Sequence, residues 1–414
     1  MFTSRARQLL ILGGAWLALL LVTAPAAAAG APSFGTAASR GMQALLGNGK
    51  QSVVAWDPKT GLWGGHIQAN WWQSALAVTT LVRYAERVRS TAPIYQHVLT
   101  RTYQLNIYKP HATARREFAN QFMDDTGWWG LAWLAASQYE LYFRGDRKEA
   151  AKFLSTAEWD ARYIAQQPRP CGGIPWSIGT PPDTVSNAEF IALTAGLARY
   201  RLAAGPFYNP SLAAAWRSDA ESALSWLESS GLIKLQTGSV LDSLNGSCHV
   251  IGGSLTYTEG EVAEALTQMG AMLGDSAYYQ SALAFLEYAI NPASGLTSDG
   301  ILREHCEATA GACGQVQFKL DLPAYKGLFV NALADWSQAT RSGAFNGFLR
   351  AQANAVINNA LRGAHNNVTH CATPATCEFA FHWSGEPDPS PLGITLGGQE
   401  SGLDALTAVL PTRG

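Results

Sequence analysis

Apolar and small residues recur at three- and four-residue steps through most of the chain, which is the period of an amphipathic helix. The clearest run follows residue 124, where Trp128, Leu131, Ala132, Ala135, Tyr139 and Tyr142 share one helical face. The stretch "LAWLAAS" makes the same helix small or apolar on most other sides, so it is expected to lie buried between neighbours. Helices are predicted near 36–46, 66–90, 93–108, 125–144, 147–166, 187–204, 210–229, 257–273, 275–290, 323–340, 345–361 and 401–410. Long β-branched alternation is absent, which excludes a large sheet. The breaks "QQPRPCGGIP", "AAGPFYNP", "AINPASG" and "RSGAFNG" are rich in Gly, Pro and Asn, as helix-ending loops should be. Twelve helices make six hairpins. The expected fold is therefore all-α, an (α/α)6 barrel with an inner and an outer ring. A helical solenoid is the alternative, but the sequence has no fixed repeat period.

The start of the chain departs from this pattern. Arg5 and Arg7 precede an apolar run from Leu9 to Val22, and small residues follow at Ala26 to Ala29. That is the layout of a cleaved signal peptide, predicted over 1–29. An uncleaved anchor is the rival, but the run is shorter than the roughly 20 residues a bilayer span needs. One catalytic domain is expected over 30–414, because no Pro/Ser or Gly/Ser linker divides it. No second run of spanning length follows, and "LDALTAVLPTRG" lacks the hydrophobic tail of a lipid-anchor signal. A secreted protein, extracellular or periplasmic and monomeric, without stable membrane insertion, is the expectation.

Composition sharpens the choice of partner. Only 14% of residues are charged and the formal net charge is −2, with no basic stripe for nucleic acid. Six cysteines suit an oxidising compartment. Cys306 with Cys313 and Cys371 with Cys377 close short loops, which leaves Cys171 for Cys248. A metal site is not expected: the spacings are not C-x2-C, and His305, His365 and His370 do not share a helical face.

The candidate chemistry lies in "NQFMDDTGWWG". An Asp at a helix start is ordinarily a cap or a first-turn acid favoured by the helix dipole. Two adjacent acids ahead of two indoles admit a second use. Retaining glycosidases need one ionised carboxylate to attack the anomeric carbon and one protonated carboxyl for the leaving oxygen, about 5–5.5 Å apart. Like-charge repulsion and burial against indole would separate the two pKa values.

Five ordered stretches carry a resemblance. "NQFMDDTGWWGLAWLAA", "CGGIPWSIGTPPDTVSNAEF", "LTYTEGEVAEAL", "ILREHCEATAGACGQVQFKLDLPAYKGLFVNAL" and "GQESGLDAL" are together similar to glycoside hydrolase family 76, the endo-α-1,6-mannanases and their fungal wall relatives. The resemblance implies an (α/α)6 barrel, action with retention and no cofactor. It places Asp124 as nucleophile and Asp125 as acid/base. Departures fall at Tyr257-Thr258-Glu259-Gly260, at "PPDTVSN" and at His305, so the reaction type is better specified than the substrate.

Further residues are candidates for holding sugar: Trp71, Trp72, Trp128 and Trp129 by stacking, and Asn120, Gln121, Asn187, Tyr257 and Glu259 by hydrogen bonding. Core packing is the competing use of the indoles, and turn satisfaction that of the amides. Arg303, Glu304 and Glu307 are expected to form a structural ion pair around Cys306. The leading expectation is cleavage of α-1,6-linked mannan through a covalent mannosyl-enzyme. Transglycosylation at the same site, and sugar binding without catalysis, are the alternatives.

Overall fold

Half of the helices start at a residue whose side chain caps them. In the computed structural model, which describes residues 32–47, 53–64, 70–108, 117–309, 312–316, 319–362, 377–384 and 394–411, Ser33, Asp146, Asp183, Asn209, Asp275 and Thr395 each accept a backbone N–H as N-cap. Such caps satisfy the donors that a helix start leaves open. The described residues hold twelve α-helices: α1 Phe34–Leu45, α2 Asn70–Arg87, α3 Pro93–Asn106, α4 Met123–Tyr139, α5 Arg147–Ala165, α6 Thr184–Leu202, α7 Pro210–Ser229, α8 Thr256–Leu273, α9 Ser276–Ile290, α10 Leu322–Thr340, α11 Asn346–Ala355 and α12 Leu396–Ala408. Single π-turns extend α4 through Glu140–Arg144 and α11 through Val356–Ala360.

The even-numbered helices form a closed inner ring. α2 packs on α4, α4 on α6, α6 on α8, α8 on α10, α10 on α12, and α12 returns to α2. Odd-numbered helices clothe it from outside, α1 against α12, α3 against α2, α5 against α4, α7 against α6, and α9 against α8. This is an (α/α)6 barrel. Inner helices are buried nearly all round: of α6, only Arg199, Arg201 and Leu202 escape burial. Close packing within the ring depends on glycine. A Cβ on Gly260 would stand 2.8 Å from the Phe329 backbone, and one on Gly327 would stand 2.5 Å from that of Ser401.

Irregular segments cover the end where the inner helices begin. They include four two-residue hairpins: β1 Ile233–Lys234 with β2 Ser239–Val240, β3 Ser243–Leu244 with β4 Val250–Ile251, β5 Thr297–Ser298 with β6 Ile301–Leu302, and β7 Leu361–Arg362 with β8 Glu378–Phe379. Cys171 is bonded to Cys248 across 77 residues, and Cys306 to Cys313 across 7. Of the third expected pair, Cys371 lies outside the described residues, as does the expected signal peptide. Among the described helices, none is long and apolar enough to cross a membrane.

Candidate active site

Helix α4 opens after Phe122, an extended N-cap whose side chain caps nothing, and carries Asp124 and Asp125 in its first turn. The loop before it is fixed by Asn120. That residue's Oδ1 accepts the Phe122 N–H at 2.7 Å, its own N–H donates to Thr126 Oγ1 at 3.2 Å, and its carbonyl accepts the Tyr163 hydroxyl at 3.1 Å. Its Nδ2 is then aimed at Asp125 Oδ2, to which it donates. Asp124 has a different pair of donors. The Asp125 N–H reaches Oδ1 at 2.8 Å, and the Trp176 indole N–H reaches Oδ2 at 2.9 Å. Trp176 arrives on the loop between α5 and α6, which is stitched to the α4 entry. Met123 N–H donates to the Trp176 carbonyl at 2.8 Å, Ile178 N–H donates to the Gln121 carbonyl at 3.0 Å, and Phe122 lies 5.0 Å from the Trp176 ring.

These environments separate the two acids. Burial raises both, because desolvation penalises the ionised form. For Asp124 the two N–H donors pull against that rise, and it settles at about 6. Asp125 is pushed much further, by burial and by the charge of Asp124, with Asn120 as its one opposing donor. The pair titrates as a unit, with the first proton leaving Asp124. Near neutral pH it therefore offers an anion and an acid side by side, which is what nucleophilic and proton-transfer work require together.

More acids and aromatic rings surround the pair. Asp183 at the start of α6, Asp321 just before α10, and Asp242 between β2 and β3 all have raised pKa values, with burial first among the causes. The charge of Asp124 adds to the rise at Asp183 and at Asp321, the latter reaching about 6. Trp72 donates its indole N–H to Asp321 Oδ1 at 3.2 Å and lies 6.2 Å from Trp128. Tyr257 stacks on Tyr325 at 3.9 Å, and both belong to a small apolar cluster with Phe381 and the Cys306–Cys313 disulfide. Every inner helix named here contributes from its N-terminal end, so the site is the mouth of the barrel.

A mouth of this kind, holding a split carboxyl pair, invites comparison with known proteins. The sequence profile of glycosyl hydrolase family 76 matches residues 47–405. The chain belongs to glycosyl hydrolase family 76. No curated protein sequence matches it significantly. Among solved structures it is similar to an α-1,6-mannanase of this family from Salegentibacter sp. HEL1_6, with TM-score 0.69, 18% identity and coverage of 92% of this chain and 99% of that one. That protein is described as an inactive variant, with two consecutive aspartates replaced by alanine, in complex with α-1,6-mannotetrose. Dfg5 from Chaetomium thermophilum, in complex with glucosamine, has TM-score 0.67 at 23% identity, covering 91% of this chain and 89% of that one. A family 76 α-mannanase from Bacteroides thetaiotaomicron has TM-score 0.62 at 14% identity, covering 92% and 96%.

In this family 76 chain the expected binding residues divide into two groups. Asn120, Trp72, Trp128 and Tyr257 lie at or beside the acid pair, and Gln121 joins the two loops through its carbonyl. Four others are corrected. Trp129 is fully buried, between Phe118 at 4.5 Å and Trp133 at 5.6 Å, and is core. Trp71 stacks on Phe118 at 5.8 Å and lies 5.0 Å from Trp129, on the same core face. Asn187 spends its side chain on backbone: Oδ1 accepts the Ile174 N–H at 3.0 Å, and Nδ2 donates to the carbonyls of Ile174 and Asp183. It holds the Trp176 loop instead of touching the cleft. Glu259 is fully buried and accepts the Val240 N–H at 3.0 Å, anchoring β2.

The acidic residues around Cys306 are structural, with partners that differ from those expected. Glu307 pairs with Lys326 at 2.7 Å and with His382 at 3.1 Å, Glu304 accepts from Thr256 at the start of α8, and Arg303 donates to the Gly295 carbonyl. Sequence reasoning did not single out Trp176, Asp183, Asp242, Asp321 or Tyr325. All but Asp242 sit inside stretches already noted for their family likeness, whereas Asp242 carries no local signal.

Proposed function

We propose that this protein is a secreted retaining glycoside hydrolase that cleaves α-1,6-mannosidic bonds within mannan, with Asp124 as nucleophile and Asp125 as general acid and base. The observation that carries the assignment is the unequal treatment of the two carboxyls: two N–H donors on Asp124, and one donor plus a neighbouring charge on Asp125. Asp124 attacks the anomeric carbon while Asp125 gives its proton to the departing glycosidic oxygen. The mannosyl group is then esterified to Asp124. Asp125, now ionised, takes a proton from water as that water attacks the same carbon, and Asp124 is released. Substrate class is supported by the α-1,6-mannotetrose held by the Salegentibacter structure, and the paired-acid assignment by the description of its double-aspartate variant as inactive. The leader-like 1–29 segment and the disulfides support secretion of a single catalytic domain over 30–414.

Azide distinguishes the two roles. Asp125→Ala is expected to keep activity on mannosides with good leaving groups, to gain rate with azide, and to give a glycosyl azide of retained configuration. Asp124→Ala should lose more than the about 10²–10⁴-fold typical of a missing acid or base, and any azide product should be inverted. The opposite pattern swaps the roles. Wild-type rates in both variants would reduce the acids to a helix cap. With linear α-1,6-mannan, short oligosaccharides mark hydrolysis, elongated chains mark transfer, and retention without products marks binding alone.

A further inference from the structure

The barrel has a second chamber. A cavity of about 600 Å³ occupies its lumen on the side where the inner helices end. Its floor is Trp128, the indole that meets Trp72 in the cleft, and its rim includes the exposed Tyr142 and Arg199. The lining is acidic out of proportion to so weakly charged a chain. Glu86 from α2, Glu261 and Glu264 from α8, Asp335 from α10, and Glu400 and Asp404 from α12 all face it. Against them stand Arg83 and Arg199. Arg83 is committed to Asp335 through bonds of 2.8 and 2.6 Å, and Arg199 donates to Gln268. The remaining titratable lining is two tyrosines, Tyr142 on the turn after α4 and Tyr200 on α6.

Acids alone make no site, but one of these has no partner in the protein and two more are only half satisfied. Glu400 is 1% exposed and neither of its oxygens has a hydrogen-bond partner; Asp404 Oδ1 and Glu264 Oε2 also lack one. Desolvated carboxylates without partners are costly. The C-terminal ends of six inner helices add partial negative charge at the same end. Glu400 and Asp404 are one turn apart and share a helical face. Glu261 and Glu264 approach from the other side of α10, whose Leu328 and Ala332 lie between. Two acidic walls with an apolar strip between them match a molecule that is cationic at both ends and apolar in the middle. Among the described residues no three carboxyls are disposed to hold a metal ion, and the volume exceeds what one ion fills.

We propose that this lower chamber is a second binding site, separate from the catalytic cleft, for a small organic dication of the alkyl diamine class. Its ammonium groups meet Glu400 and Asp404 at one end and Glu261 and Glu264 at the other, with the methylenes against Leu328 and Ala332. Burial raises these acids, Glu264 to about 8 and Asp404 to about 7, so occupancy by a dication displaces protons.

Titration calorimetry with cadaverine on the intact protein tests this. Saturable binding is expected, with protons released in proportion to buffer ionisation enthalpy, and weaker binding for pentylamine. Glu400→Gln with Asp404→Asn should weaken cadaverine at least tenfold. So should Ala135→Trp, which fills the chamber and leaves every acid in place. Asp125→Asn should bind as the wild type does. Absence of saturable binding overturns the proposal. Loss in Asp125→Asn with no loss in the chamber variants moves the site to the cleft and overturns it equally, and displacement of cadaverine by magnesium at the same concentration overturns the ligand class. The readout is heat of binding, so inactivity on mannan would sink the catalytic proposal and leave this one standing.

Discussion

Two tryptophans in sequence cannot share a face, because successive helical residues point about 100° apart. Both Trp pairs obey this. Trp71 and Trp129 turn into the Phe118 cluster, while Trp72 and Trp128 turn toward the mouth and each other. The sequence announces indoles at two helix starts without saying which member is which, since that depends on how each helix is rotated in the ring. Asn187 and Glu259 mislead for a related reason: a polar residue inside a family-like motif looks like a ligand contact, whereas these satisfy buried backbone. Asp124 and Asp125 were readable because adjacency, helix entry and the following aromatics coincide. Trp176 is the residue whose role rests on tertiary contact. Trp176→Phe removes one of two donors from Asp124, whose ionisation should become harder. The acidic limb of kcat/KM, which falls as pH drops through about 6, is expected to move upward, by about one unit if the bond contributes 1.4 kcal/mol. An unchanged pH profile would show that the indole merely packs. Asn120→Ala should shift the alkaline limb instead, upward, since it removes the donor that favours ionised Asp125.

At the level of elements, the periodicity located every helix, and the ends moved by a few residues. Helix α4 begins at Met123, so both acids fall inside its first turn where the dipole is felt. The four hairpins had no signature, being two-residue pairings held by loops whose register the barrel dictates. Spacing between helices was equally invisible, because it depends on glycines that only a neighbour explains. Gly260→Ala sets a methyl against the Phe329 backbone of α10, and Gly327→Ala sets one against α12 at Ser401. Backbone cannot move aside as a side-chain tip can, so each should cost about 1–3 kcal/mol. Chemical denaturation should show a lower midpoint with an unchanged slope. A midpoint equal to wild type would mean that the ring breathes more freely than its spacing implies.

For the molecule as a whole, pH should act through acids that folding has buried. Glu86 and Asp404 titrate at about 7, Glu259 and Glu264 at about 8, in each case with burial as the first cause. Unfolded carboxyls titrate near about 4. Between those limits the folded chain holds more protons than the unfolded one, so stability declines as pH rises through the window. Glu307 runs the other way: burial would raise it, but Lys326 and His382 prevail and lower it, and its contribution is lost in acid. The Tm is therefore expected to be higher near about pH 5.5 than near about pH 8.5, and Glu400→Gln should narrow the difference. A flat profile would indicate that these acids are solvated. The Cys171–Cys248 bridge ties the Trp176 loop to the β3–β4 hairpin across 77 residues. Replacing both by serine should lower stability by about 2–4 kcal/mol, measurable against the oxidised wild type.

The ring closes between α12 and α2, helices separated by more than 300 positions of chain. Until residues 396–408 exist, the facing sides of α2 and α10 have no partner and the lumen lies open along its length. A ribosome building this protein must therefore have added residues 396–408 before the enclosure can be sealed. Every nascent chain arrested before α12 is a gutter and not a barrel, the facing sides of α2 and α10 open to whatever chaperone is nearest.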